Sequence, residues 1–232
     1  MKRSTINQIM HEAVAFADSL NAKLPPFAYW NMDDWAVKGH EYDELRDTML
    51  GWDITDFGGG RYDKKGLLMF TLRNGSFSDA RYPKIYAEKM LIVKEGQITP
   101  YHFHWKKMED IINRGGGMLC IQVYNSTPEG GLADTEVFVS SDGRNYTVPS
   151  GAVIRLAPGE SITLPCGMYH QFWGEGGTVL VWEVSKKNDD NVDNRFLEDV
   201  GRFPKIVEDE PILYPLFNEI PKAIGEAADD RH

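Results

Sequence analysis

The strongest constraint on the fold lies between residues 67 and 185. LLMFTLR, KMLIVK, MLCIQVY, TEVFVSS, AVIRL, SITL and TVLVWEVS follow one another there, separated by Gly, Pro, Asn and Asp. Each run is short and rich in β-branched or aromatic residues. Many such runs at close spacing predict an all-β sandwich or barrel. At 232 residues the chain has the size of β folds that stay single, and it can bury a core without staples. Its two cysteines, Cys120 and Cys166, are too few for a disulfide framework and are expected as buried reduced thiols.

The flanks read differently. Residues 5–22 carry Ile6, Ile9, Met10, Ala13, Phe16, Ala17 and Leu20 at helical spacing, with Thr5 and Gln8 in capping-box positions. Pro25 and Pro26 end that helix. A second is predicted across EYDELRDTML, closed by Gly51. DFGGGRYDKKG lacks the glycine spacing of a nucleotide loop and is expected to be a turn. The expected organisation is therefore an N-terminal helical extension over 1–66, a barrel over 67–185 and a C-terminal extension over 186–232. FPKIVEDEPILYPLF in that last part is apolar enough to pack on the barrel, whereas GEAADDRH is expected to be a solvated terminus.

The net charge is −10, which argues against nucleic acid, since phosphate binding needs a basic face. No run approaches the roughly 20 apolar residues that span a bilayer. Asn7, Gln8, His11 and Glu12 interrupt what would have to be the apolar core of a signal peptide. The expectation is a cytoplasmic protein.

Chemistry concentrates in PYHFHWKKMED, residues 100–110. His102 and His104 stand two apart in a strand-like run, so both imidazoles project from one face. Glu109 lies beyond a turn and can fold back as a third ligand. His170 follows a Pro-Cys-Gly turn at the head of another strand. The spacing Gly96-x5-His102-x-His104-x4-Glu109-x6-Gly116, followed by Gly159-x5-Pro165-x-Gly167-x2-His170, matches the paired motifs of the cupin superfamily. The chain resembles that superfamily over about residues 67–185. The Asn that often closes the second motif is replaced by Gly174; as that Asn is not a ligand, the metal expectation stands. Three imidazoles and a carboxylate suit Mn, Fe, Ni, Co or Zn. On an octahedral ion they leave two positions open, as a catalytic site requires.

Charges inside apolar strands point to a pocket. Glu183 interrupts VLVWEVS and shares a face with Val179 and Val181; Lys89 interrupts IYAEKMLIV next to Glu88, so one of that pair points each way. Lys107 directly follows the histidine pair. Asp193 and Arg195, two apart in DNRF, are candidates for binding sugar hydroxyls or for bracing each other.

Longer stretches carry a closer resemblance. KLPPFAYW, TPYHFHWKKMEDIINRGGG, LPCGMYHQFWGEGG and WEVSKKNDDNVDNRF are similar to the D-lyxose isomerase family of cupin sugar isomerases over most of the chain. The resemblance implies a single jelly-roll barrel and metal binding by His102, His104, Glu109 and His170, with Mn(II) as the ion. It implies a sugar pocket lined by Lys89, Lys107, Glu183 and the DNRF segment, a monosaccharide substrate and a homodimer. The implied reaction interconverts D-lyxose with D-xylulose, and D-mannose with D-fructose. In that setting an ion chelating two sugar oxygens would stabilise an enediolate; a metal-assisted hydride shift between the carbons is the competing route, and the sequence does not separate the two. Glu183 is the first choice for the base, Lys107 for a donor or electrostatic stabiliser, and Lys89, Asp193 and Arg195 for positioning hydroxyls. The rival readings are an iron-dependent cupin dioxygenase, a phosphosugar isomerase and a non-catalytic sugar-binding cupin.

Overall fold

The apolar stripe near the N-terminus forms α1, Arg3–Ser19. Its first turn is capped from a distance. Lys2 gives no side-chain cap; Arg3 N donates to Val207 O at 2.9 Å, and Ser4 N donates to the Asp209 carboxylate at 2.9 Å. A carboxylate at a helix N-terminus satisfies a free amide and complements the helix dipole. The helix thus starts earlier than Thr5, and Gln8 donates instead to Glu12. Two short helices follow, α2 (Met32–Ala36) and α3 (Asp43–Asp47). The second falls short of the predicted segment because the chain reverses at Met49, which has φ +58°. Gly51 then opens a strand rather than closing a helix.

The computed structural model describes residues 1–187, 189–190 and 192–224; the GEAADDRH tail lies outside them. The strands are β1 (Gly51–Thr55), β2 (Leu67–Arg73), β3 (Tyr86–Val93), β4 (Thr99–His104), β5 (Glu109–Ser126), β6 (Leu132–Ala133), β7 (Val137–Ser141), β8 (Arg144–Val148), β9 (Val153–Leu156), β10 (Ser161–Leu164), β11 (Met168–Lys186) and β12 (Asn194–Phe196). They form one sheet of 12 strands along the path β1-β2-β3-β11-β5-β10-β7-β8, with β4 branching from β11, β12 pairing with β4, and β6 and β9 branching from β5. All named pairings are antiparallel. This is the mostly β, cupin-like fold expected, although among the described residues the main path has two ends, β1 and β8, and does not close. The sheet also reaches beyond residues 67–185, through β1 on one side and β12 on the other.

The long strands β5 and β11 pair from Met168↔Asn125 to Ser185↔Glu109, with register shifts in the glycine-rich middle. There both strands bend to serve two layers. Gly116 has φ +91°, and a Cβ on it would lie 2.1 Å from Thr178 O, so only glycine passes the bend.

Alternation sorts the sheet's two faces. Val179 and Val181 join Leu67, Met69, Leu91, Val93 and Ile111 in the inner core. Leu180 instead packs outward with Trp52, Ile54, Phe70, Met90 and Ile92 against Ile6, Ile9, Met10, Ala13 and Ala17 of α1. Each large apolar side chain buried this way contributes roughly 1.5–3 kcal/mol. The C-terminal segment wraps back over the molecule: the buried Arg3 guanidinium pairs with Glu208 and Glu219, and Leu216 bridges to Trp52. Cys120 is buried and Cys166 is exposed, and both are free. The expectation of two buried thiols fails for Cys166 because it sits in the turn that leads into β11.

Candidate active site

β4 carries Tyr101 and Phe103 on one face and His102 and His104 on the other. Phe103 is buried against Trp105 and Tyr169, which turns both imidazoles to the inside. β11 pairs with β4 so that His170 stands opposite His102. The Pro165-Cys166-Gly167 turn is held there by Gly167 N donating to His104 O at 3.0 Å. Ligand atoms of His102, His104 and His170 lie within 4.8 Å of one another, and all three rings are buried. Glu109 opens β5 and joins them: its Oε1 is 3.3 Å from His104 Nε2 and 3.3 Å from His170 Nε2.

The donor set fits a divalent ion. His102 Nδ1 contacts Pro100 O at 2.9 Å and His170 Nδ1 contacts Met168 O at 3.0 Å. A carbonyl can only accept, so Nδ1 carries the proton in both and Nε2 presents a lone pair. His170 Nε2 is buried and has no hydrogen-bond partner, the state of a nitrogen shaped for a metal. Burial, with the neighbouring imidazoles His170 and His104, holds His102 well below the usual histidine pKa. Burial and the Lys107 charge also lower the pKa of His104, against Glu109. Neutral imidazoles are the ligating form. Burial works against an ionised Glu109, but Lys107 and His104 outweigh it and hold the carboxyl well below its ordinary range.

A chain of charges runs from the histidines along the cavity. Lys107 Nζ lies 2.7 Å from Glu109 Oε2 and donates to Glu183 Oε1 at 2.7 Å. Burial opposes the Lys107 ammonium, but Glu109 and Glu183 outweigh it and raise its pKa above that of an ordinary lysine. Glu183 Oε1 also accepts from Ser185 Oγ at 3.0 Å and lies 3.7 Å from Lys89 Nζ. No described residue donates to Glu183 Oε2. Lys89 Nζ is 2.8 Å from Asp190. Burial disfavours the Asp190 charge, yet Lys89 and Lys107 pull its pKa below the usual aspartate value. Arg202 forms a two-pronged pair with Asp53 on β1.

Lys89, Lys107, Glu109, Glu183, Asp190 and Arg202 share one cavity, lined also by Thr55, Phe57, Thr99, Phe172, Asn194 and Phe196. Of the residues expected at the site, His102, His104, Lys89, Lys107, Glu109 and Glu183 line it, and His170 joins the histidine cluster. Asp193 and Arg195 do not. The Asp193 carboxylate is buried against the backbone amides of Lys106 and Lys107. Arg195 projects outward, exposed, and donates to Phe196 O. β12 alternation is the reason: Asn194 and Phe196, opposite His104 and His102 in the ladder, face the cavity and Arg195 cannot. Within DNRF it is Asn194 and Phe196 that line the cavity, and the polar lining that sequence reasoning missed is Asp190 and Arg202 with Thr55 and Thr99.

The sequence model of the D-lyxose isomerase family matches residues 1–220. A D-lyxose/D-mannose isomerase of Serratia proteamaculans is 48% identical over 94% of this chain and 97% of its own length. One from Escherichia coli O157:H7 is 46% identical over 94% and 98%. The chain belongs to the D-lyxose isomerase family. It is a sugar isomerase, and its reaction is an aldose–ketose interconversion. Solved L-ribose isomerases share the fold. That of Cellulomonas parahominis with L-ribose has a TM-score of 0.56 at 16% identity, covering 89% of this chain and 98% of that one. That of Acinetobacter sp. DL28 with L-ribose has 0.55 at 16%, covering 86% and 93%. For a sugar isomerase, a carboxylate and an ammonium in contact beside a metal-ready histidine cluster have a direct chemical use. No helix is long and apolar enough to cross a membrane among the described residues.

Proposed function

We propose that this member of the family interconverts D-lyxose with D-xylulose, and D-mannose with D-fructose, with His102, His104, Glu109 and His170 holding one Mn(II). The observation that carries the reading is the position of Glu183: a buried carboxylate with one oxygen fixed by Lys107 and Ser185 in the cavity that also holds the histidines. A divalent ion bound there supplies Lewis-acid polarisation of the sugar carbonyl and charge stabilisation. Glu183 removes the proton from C2 of the aldose through its uncommitted oxygen and returns it at C1, by way of an enediolate, while the hydroxyl proton of O2 passes to O1. Ser185 and Lys107 hold the carboxylate still while it does so. The Lys107 ammonium stabilises negative charge developing on the substrate oxygen beside it.

The lining supports a neutral polyol. Thr99 Oγ1, Asn194 Oδ1 and Arg202 Nε are buried without a hydrogen-bond partner and belong to cavity-lining residues; sugar hydroxyls would satisfy them. Every cation lining the cavity among the described residues is already paired: Lys89 with Asp190, Lys107 with Glu109 and Glu183, and Arg202 with Asp53. That pairing leaves no spare charge for a phosphosugar. The buried charges running from Glu109 through Lys107, Glu183 and Lys89 to Asp190 weigh against the apolar substrates of a cupin dioxygenase. The reading includes a cytoplasmic protein, as the polar residues that interrupt any signal-like apolar run suggest, and a homodimer, as the family resemblance implies.

The test is to strip the protein of metal and reconstitute it separately with Mn, Fe, Co and Zn. Each form is then assayed for ketose formation from D-lyxose, D-mannose and D-xylose. Turnover of D-lyxose and D-mannose, greatest with Mn(II), supports the reading. No ketose in any form, or oxygen uptake with the iron form, overturns it.

A further inference from the structure

Asp193 is almost fully buried, yet its carboxylate meets neither a cation nor the cavity. Its Oδ1 accepts from Lys106 N at 2.9 Å, its Oδ2 from Lys107 N at 3.1 Å, and its own carbonyl oxygen accepts from Trp105 N at 3.1 Å. Three consecutive amides of the turn between His104 and Glu109 therefore end on one residue. Successive amides converging on an anion form a nest, usually filled by an external ligand; here the chain supplies its own. The same turn is held on its other side by Cys166 Sγ, 3.4 Å from Lys107 O.

This arrangement fixes the backbone from which Lys107 reaches Glu183. A lysine side chain has many rotamers, and its Nζ is aimed only if its Cα is fixed. Hydrogen bonds from amides to a carboxylate are among the stronger kind and directional. We propose that Asp193 is a positioning residue for Lys107: it does not touch the sugar but keeps the ammonium within reach of Glu183 and of the reacting oxygen. This rests on the role given to Lys107 above. It replaces the expectation that Asp193 binds sugar hydroxyls. It gives the C-terminal segment a part in a site whose proposed metal ligands all lie before residue 171.

The test is a double-mutant cycle on D-lyxose in the Mn(II)-saturated protein, with thermal melting and direct titration with Mn(II) as independent readouts. Asp193→Asn keeps the shape but sets an NH2 group against an amide N–H. It should lower kcat roughly ten- to a hundredfold, since small misplacements of a reacting group cost that much, with little change in KM or in Mn(II) affinity. In a Lys107→Met background the same substitution should add less than about a twofold loss, because residues acting as a unit are non-additive. An equal loss in both backgrounds overturns the proposal. So does a raised KM with kcat kept, the mark of a sugar contact, or a lowered melting temperature with kcat kept. Wild-type turnover of Lys107→Met alone instead sinks the role of Lys107. If Asp193→Asn does not fold, Asp193→Glu, with the same charge on a longer arm, carries the same predictions.

Discussion

Lys107 Nζ and Glu183 Oε1 meet at 2.7 Å although they stand 76 positions apart in the chain. One comes from the turn after the histidine strand, the other from the second half of β11. Their contact brings an obligate cation to a carboxylate that has one oxygen uncommitted. Glu183→Gln keeps the shape and removes the base. Turnover should fall by about 10²–10⁴-fold, the usual worth of a positioned acid–base group, while titrations with Mn(II) and sugar change little. Turnover near that of the wild type would remove Glu183 from the mechanism.

His170 is the proposed ligand that arrives from the far motif. His170→Ala takes one imidazole from a cluster whose ligand atoms lie within 4.8 Å. Metal content after dialysis, read by elemental analysis, should drop from one Mn(II) per chain towards zero, and activity should fall with it. Retention of a full equivalent would mean that the ion sits elsewhere.

The metal-free protein should be acid-sensitive, and the sign follows from protonation. Burial keeps His102 and His104 neutral in the fold, whereas the unfolded chain protonates them near pH 6.5. The unfolded state thus binds more protons below that pH. The histidine contribution is intact above it and is lost as the pH falls, by about 1.4 kcal/mol per pH unit for each histidine. Glu109, whose folded pKa is depressed, adds loss in the same direction below its unfolded value of about 4.3. Melting temperatures of the metal-free protein should decline steadily from pH 7 to pH 5. The decline should be shallower in His102→Gln; equal slopes would contradict the burial argument.

Gly116 tests the link between motif and fold. A Cβ there would lie 2.1 Å from Thr178 O on a backbone at φ +91°. Gly116→Ala should destabilise the protein by more than about 1 kcal/mol, read as a lower urea midpoint. Gly143, also at positive φ but with nothing within 4 Å of its Cβ position, should tolerate alanine better.

What was legible in the sequence was what local geometry dictates. Two-residue spacing sets His102 and His104 on one face, and the Pro165–Gly167 turn delivers His170. Alternation assigns Glu183 to the face of Val179 and Val181, and the structure identifies that face as the inner one. Arg195 was preferred over Asn194 for its charge, because the short strand β12, whose alternation turns Asn194 inward, was not read from the sequence. β1 escaped notice because both of its faces are buried: Trp52 and Ile54 against α1, and Asp53 and Thr55 towards the cavity side. Its sequence, WDIT, therefore has no exposed polar half. The Thr5 cap was misread because the true cap, Asp209, comes from the other end of the chain. Asp190 and Arg202 sit in polar loop sequence and become pocket residues only through tertiary pairing with Lys89 and Asp53.

The central claim is that Glu183 carries a proton between C2 and C1 of the sugar. The most direct measurement is to run D-lyxose to equilibrium in heavy water with the Mn(II)-loaded protein and read the label by NMR. Many forward and reverse turnovers then give even a partly shielded carboxylate time to exchange. The account predicts deuterium at C1 of the ketose and at C2 of the recovered aldose. Sugar free of deuterium at both positions would contradict it and point to hydrogen passing directly between the two carbons.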